Sequence, residues 1–106
     1  MKRCLCDQKL ERVSIYVEAS ILNGKLKISG QDIGPVVEEY FGDSDYEYFY
    51  SFNEANTKKL LEALKPGAEI KELLELLAGS FSGPDGCTML RKLCKEENIT
   101  YDFFSC

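Results

Sequence analysis

The sequence predicts an α+β domain: a three- to four-stranded antiparallel or mixed sheet with helices packed on one face. Two observations carry this. Residues 13–22 alternate apolar and polar with period two and run straight into Asn23-Gly24, a strong hairpin signal. Farther along, apolar residues recur at helical spacing, first at Leu60, Leu61 and Leu64, then at Ile70, Leu73, Leu74 and Leu77. Strands and helices mixed in this way, with a hairpin at the start, fit a sheet with helices laid against it.

The elements follow in order. Val13, Ile15, Val17, Ala19 and Ile21 form one face of a first strand, and Leu26 and Ile28 belong to its return partner. Gly30 is read as the end of that partner, and Asp32 as the cap of a short helix with Pro35 in its first turn. Val36, Val37, Tyr40 and Phe41 give that helix an apolar side, and Gly42 ends it. Tyr46 to Phe52 is dense in strand-forming residues. Asn53 caps the next helix, and Pro66-Gly67 stops it. A second helix runs from about Glu69 to Ala78, a loop from Gly79 to Gly86, and a last helix to about Glu97 with Leu90, Leu93 and Cys94 inward. Asn98 closes it, Ile99 folds back on the helix end, and Tyr101 to Ser105 forms a final strand. The order is therefore β-β-α-β-α-α-α-β.

A chain of 106 residues makes one domain, residues 1–106, with enough length to fold without staples. No apolar run approaches the roughly 20 residues of a membrane span. Met1-Lys2-Arg3 has the charged start of a signal peptide but no apolar stretch behind it, so the expected location is the cytoplasm. Five cysteines, an odd number, fit a reducing compartment. The net charge of −5 opposes direct binding to nucleic acid. It is unevenly spread: residues 28–57 carry seven acids (Asp32, Glu38, Glu39, Asp43, Asp45, Glu47 and Glu54) and no Lys or Arg.

The chain has no histidine. That removes the usual general base, the Ser-His and Cys-His nucleophile pairs and most catalytic zinc sites. An enzyme here would need a carboxylate or tyrosine acid–base pair, and no nucleophile–base pair is visible, so the expectation is a non-enzymatic protein. Cys4, Cys6, Cys87 and Cys94 offer four thiolates for a closed zinc site, although neither pair has the usual spacing of two to four intervening residues. The alternative is that Cys94 is core and Cys4, Cys6 and Cys106 lie loose near the termini. Gly83-Pro84-Asp85-Gly86 before a helix lacks the lysine of a phosphate loop and reads as a turn with a cap. Asp43, Asp45, Glu47 and Glu54 half-match a calcium loop, but Tyr48 stands where the loop needs glycine. No cofactor is expected.

Tyr46, Tyr48, Tyr50 and Phe52 share one face of their strand, and Glu47, Phe49 and Ser51 share the other. Two readings stand. The tyrosine face packs under the helices with its hydroxyls reaching the edge, or it is an exposed row beside the acids. In the second, Asp43, Asp45, Tyr46, Glu47, Tyr48 and Tyr50 bind a basic protein partner, because tyrosine gives contact area and acids steer a basic partner. A solvated acidic face that only aids solubility is the plain alternative. If this strand were an edge, two copies could pair along it, leaving monomer or homodimer open.

Ile28-Ser29-Gly30-Gln31-Asp32-Ile33-Gly34-Pro35, then Glu38-Glu39-Tyr40-Phe41-Gly42-Asp43-Ser44-Asp45-Tyr46-Glu47-Tyr48, then Ile99-Thr100-Tyr101-Asp102-Phe103-Phe104-Ser105 together resemble a family of small uncharacterised bacterial proteins with an I-S-G-Q-D-x-G turn and a D-Y-E-Y strand. The resemblance spans most of the chain and implies no activity. Small acidic bacterial proteins of this size are also similar in type to the immunity partners of toxins. The function expected from the sequence is thus a protein-interaction module of inhibitor type, with a cysteine-liganded metal-binding domain as the alternative.

Overall fold

The computed structural model describes residues 1–35 and 45–105. Five strands form one open sheet, and their order across the sheet is their order along the chain. These are β1 (Lys2–Lys9), β2 (Ser14–Leu22), β3 (Lys25–Ile33), β4 (Asp45–Ser51) and β5 (Asp102–Ser105). Every neighbouring pair is antiparallel. Between β4 and β5 come α1 (Glu54–Leu64), a 3₁₀ turn (Ile70–Glu72), α2 (Leu73–Ser80) and α3 (Gly86–Glu96). The α+β class holds, with five antiparallel strands instead of three or four.

The β2–β3 hairpin turns where the sequence says it should. Asn23 and Gly24 have φ of 54° and 74°, the two left-handed residues of a type I′ turn whose twist suits a hairpin. Period two then sets the faces. Val17, Ala19 and Ile21 of β2, Leu26 and Ile28 of β3, and Tyr48, Tyr50 and Phe52 of the β4 segment are all buried. Leu60 and Leu61 of α1, Leu73, Leu74 and Leu77 of α2, and Leu90 and Cys94 of α3 close the same core from above. None of these helices covers the opposite sheet face, called the open face below. Tyr16, Leu22, Ile33 and Phe104 lie on it, all exposed.

Three expectations need correction. The N-terminal cysteines are not loose, because residues 2–9 form β1. That strand is mostly polar and lies at an edge, so it shows no clean alternation. A bulge between Cys4 and Cys6 also breaks its period: Cys4 pairs with Glu18, Cys6 with Val17, and Leu5 is the extra residue. Both Leu5 and Cys6 are consequently buried. Gly30 does not end β3, and Asp32 is not a helix cap. The strand continues through both, with Gly30 paired to Tyr48 and Asp32 to Tyr46. A glycine is tolerated mid-strand because the Tyr48 ring fills the space where a side chain would stand. Third, β4 is no edge strand, since β3 and β5 flank it. The helix expected after Asp32 falls largely on residues 36–42, outside the described ones.

The later helices follow their signals. Asn53 caps α1 through its Oδ1, which accepts the Asn56 N–H at 2.8 Å. A capping box between Glu69 and Glu72 opens the 3₁₀ turn. Asn98, at φ 56°, ends α3, and the Ile99 N–H returns to the Cys94 carbonyl at 2.8 Å.

Thr57 ties α1 to the sheet. It is fully buried, its Oγ1 accepts the Leu26 N–H at 3.0 Å, and its hydroxyl donates to the Asn53 carbonyl at 2.8 Å. Valine has the same shape without the hydroxyl. Thr57→Val is expected to leave the Leu26 N–H buried without a partner, at about 1–2 kcal/mol, while Thr57→Ser keeps the bond and loses only a methyl. Urea unfolding of the two variants checks this: serine as costly as valine would show that the methyl, not the hydroxyl, holds α1 down.

Candidate functional site

The parity of β4 splits the six residues that the sequence grouped. Tyr46, Tyr48 and Tyr50 turn inward beneath the helices, and Asp45 and Glu47 turn to the open face. Tyr48 and Tyr50 are only 9% and 1% exposed, so the exposed tyrosine row does not form. The physical reason is that β4 is a central strand, and its apolar face is the one the helices cover. Asp43 lies outside the described residues.

The tyrosine hydroxyls instead reach a cleft between the sheet and α3. Its volume is about 220 Å³, and Asp32, Tyr46, Tyr48, Cys87, Thr88 and Arg91 are among the residues lining it. Alternation along β3 delivers Asp32 to the inner face, and the turn spacing of α3 delivers Cys87, Thr88 and Arg91. Tyr48 donates its hydroxyl to Asp32 Oδ1 at 3.2 Å. Arg91 Nη1 donates to the Tyr50 hydroxyl at 2.6 Å, and Nη2 to Thr88 Oγ1 at 3.2 Å. The tyrosine rings brace one another: Tyr46 and Tyr48 centroids lie 5.6 Å apart, and Tyr48 meets Tyr50 edge-on at 6.2 Å.

Burial dominates the electrostatics of this cleft. It raises the Asp32 carboxyl above its usual range, and the Tyr48 hydrogen bond offsets part of that rise. The fold therefore binds this proton more tightly than the unfolded chain does. From this group alone, stability is greatest at low pH and is lost as pH rises through the folded-state value. Burial, followed by the Asp32 charge, holds the Tyr48 hydroxyl far above its ordinary range. Burial also pushes the Cys87 thiol up to about 11, although Arg91 opposes it, so the thiol stays neutral and a poor nucleophile.

A larger hollow of about 530 Å³ opens at the other end of the sheet, where Gly24, Glu54, Lys58 and Glu62 line its wall. Its charged side chains are exposed, as Arg91 is, and none of them is a part-buried carboxylate like Asp32.

The cysteines do not converge. Cys4 is exposed, and Cys6 is buried with its thiol 3.8 Å from the Ile15 carbonyl. Cys94 is in the core, where burial raises its pKa to about 11. Among the described residues, no three cysteine or carboxylate side chains gather closely enough to hold a metal ion.

On the open face, charge is ordered along the strands. At one end, register places Asp7, Tyr16, Gln31 and Glu47 in one row and brings Ile33 beside Asp45 in the next. At the other end lie Lys2, Lys25 and Lys27. Asp45 accepts two contacts from Gln31 Nε2, at 3.0 and 3.2 Å. Glu47 makes no ion pair among the described residues. Lys27 sits over the Phe49 ring at 5.0 Å.

Sequence reasoning missed Asp32 and Arg91. Carrying the alternation of Leu26 and Ile28 through Gly30 would have placed Asp32 inward, and three-residue spacing on α3 would have put Arg91 near Thr88. No described helix is long and apolar enough to cross a membrane. No protein-family model matches this chain, and searches of curated proteins and of solved structures return no significant match.

Proposed function

We propose that this protein is a protein-interaction module that binds a basic protein partner at the acidic end of its open sheet face. One observation carries the reading: Asp45 and Glu47 project from the face opposite the described helices, next to exposed Tyr16 and Ile33. Acids supply steering and specificity, and the apolar side chains supply area to bury. A net charge of −5 favours a basic protein over nucleic acid as the partner. Inhibition of a basic protein, as an immunity partner inhibits its toxin, is the simplest version.

The proposed partner surface is revised from the one expected. Asp45 and Glu47 remain, and Tyr16 and Ile33 replace Tyr46, Tyr48 and Tyr50, which serve the inner face. The test is affinity capture from native lysate with three proteins: wild type, Asp45→Lys/Glu47→Lys, and Lys25→Glu/Lys27→Glu. Wild type and the second variant are expected to retain the same basic protein. The first variant is expected to lose it by at least about 1.4 kcal/mol, a tenfold drop in affinity. Equal retention by all three proteins, or equal loss from both variants, overturns the reading.

A further inference from the structure

We infer that the cleft between the sheet and α3 binds a free α-amino acid, with its carboxylate on Arg91 and its ammonium on Asp32. This goes beyond the reading of the open face and does not depend on it, because the two surfaces lie on opposite sides of the sheet.

Two charges have no ionic partner among the described residues. Arg91 bonds to two hydroxyls, those of Tyr50 and Thr88, and no carboxylate pairs with it among the described residues. Asp32 accepts from the Tyr48 hydroxyl, and no cation pairs with it among the described residues. Both line the same cleft, yet they make no ion pair with each other. A half-buried carboxylate held by a neutral donor is costly to desolvate, and an opposite charge offsets that cost.

The chemistry of the ligand follows from this pair. A plain anion would suit Arg91 and be repelled by Asp32. A plain cation would suit Asp32 and be repelled by Arg91. A molecule carrying both charges satisfies each. Arginine has five N–H donors and uses two here, which leaves donors for a carboxylate. Tyr50 and Thr88 hold the guanidinium, and Tyr48 holds the carboxylate, so each end is ordered by its own hydrogen bonds before a ligand arrives. Size sets the class. A cleft of about 220 Å³ lies below the roughly 300–1,000 Å³ of sites for drug-sized ligands, which suits a ligand as small as an amino acid.

The test is a titration of the isotope-labelled protein, followed by amide NMR, with each of the common free amino acids up to roughly 10 mM. At least one is expected to bind with Kd at or below about 1 mM and to shift amides of β3, β4 and α3. On wild-type protein, the N-acetyl and the C-terminal amide forms of that amino acid should each bind at least tenfold more weakly. Arg91→Gln and Asp32→Asn should do the same to the free amino acid. The blocked ligands keep the test decisive if either variant fails to fold. No binding by any amino acid at 10 mM, or blocked forms that bind as well as the free one, overturns the inference.

Discussion

Replacing Gly86 by alanine is expected to destabilise this domain by about 3 kcal/mol, the upper end of overpacking costs, and to lower its melting temperature by roughly 12–24 °C. Alanine is normally the better helix residue by about 1 kcal/mol. Gly86 opens α3, and an added Cβ would stand 1.8 Å from the Phe81 carbonyl oxygen and 2.6 Å from its carbon. That neighbour cannot give way cheaply. The contacting atoms are backbone of Phe81, which caps the end of α2, is 7% exposed as a residue, and has its N–H bonded to the Leu77 carbonyl at 2.8 Å. Relief requires α3 to shift away from the end of α2, which disturbs the core that Leu77 and Leu90 both belong to. Gly79 is the control. It lies in α2 with nothing within 4 Å of its Cβ position, so Gly79→Ala should stabilise by about 0.5–1 kcal/mol. Thermal unfolding of both variants decides the matter, and a loss below about 1 kcal/mol at Gly86 would mean that α3 is not seated against Phe81 as described.

Gly30→Ala is the second large expected loss, about 2–3 kcal/mol. Here the obstacle is a side chain. The new Cβ would lie 2.1–2.6 Å from the ring carbons and hydroxyl of Tyr48. The ring has no room to swing, held between Tyr46 and Tyr50 and bonded to Asp32. A double-mutant cycle separates this contact from any general intolerance of β3. With Tyr48→Leu in place, Gly30→Ala should cost less than about 1 kcal/mol, a coupling of roughly 1–2 kcal/mol. Additive losses would show that the glycine is required for some reason other than the ring.

Gly30 also marks where the sequence was hard to read. The β2–β3 hairpin was legible because Asn23-Gly24 is a local signal, and its left-handed angles are a property of those two residues. The helices after Phe52 were legible because leucine spacing and caps such as Asn53 are equally local. Gly30 was misread because its permission to sit inside a strand comes from Tyr48, a residue distant in the chain. With the strand ended too early, Asp32 became a cap and the cleft disappeared from view. β1 was missed for a related reason, since a bulge at Leu5 hides its period and β2 alone specifies its pairing. The pattern of residues 46–52 gave the two faces of β4 correctly. It could not say which was inward, because tyrosines on one side and Glu47, Phe49 and Ser51 on the other are both half-apolar.

The agreement between strand order and chain order has a consequence in time. A ribosome releases the chain from its N-terminus, and each strand from β2 to β4 finds its partner among residues already made. No strand waits for a later one to fill a gap beside it, so the first four can zip together in the order of their synthesis at small loop-closure cost. β5 is the exception. It pairs with β4 only after the whole helical block has been translated, and its register joins Ser51 to Asp102 across that block. Until then the growing chain exposes a β4 edge rich in tyrosine and phenylalanine, the state in which a nascent chain is most prone to pair with another. Residues 102–105 are thus the ones that cover Tyr48–Ser51 of that edge.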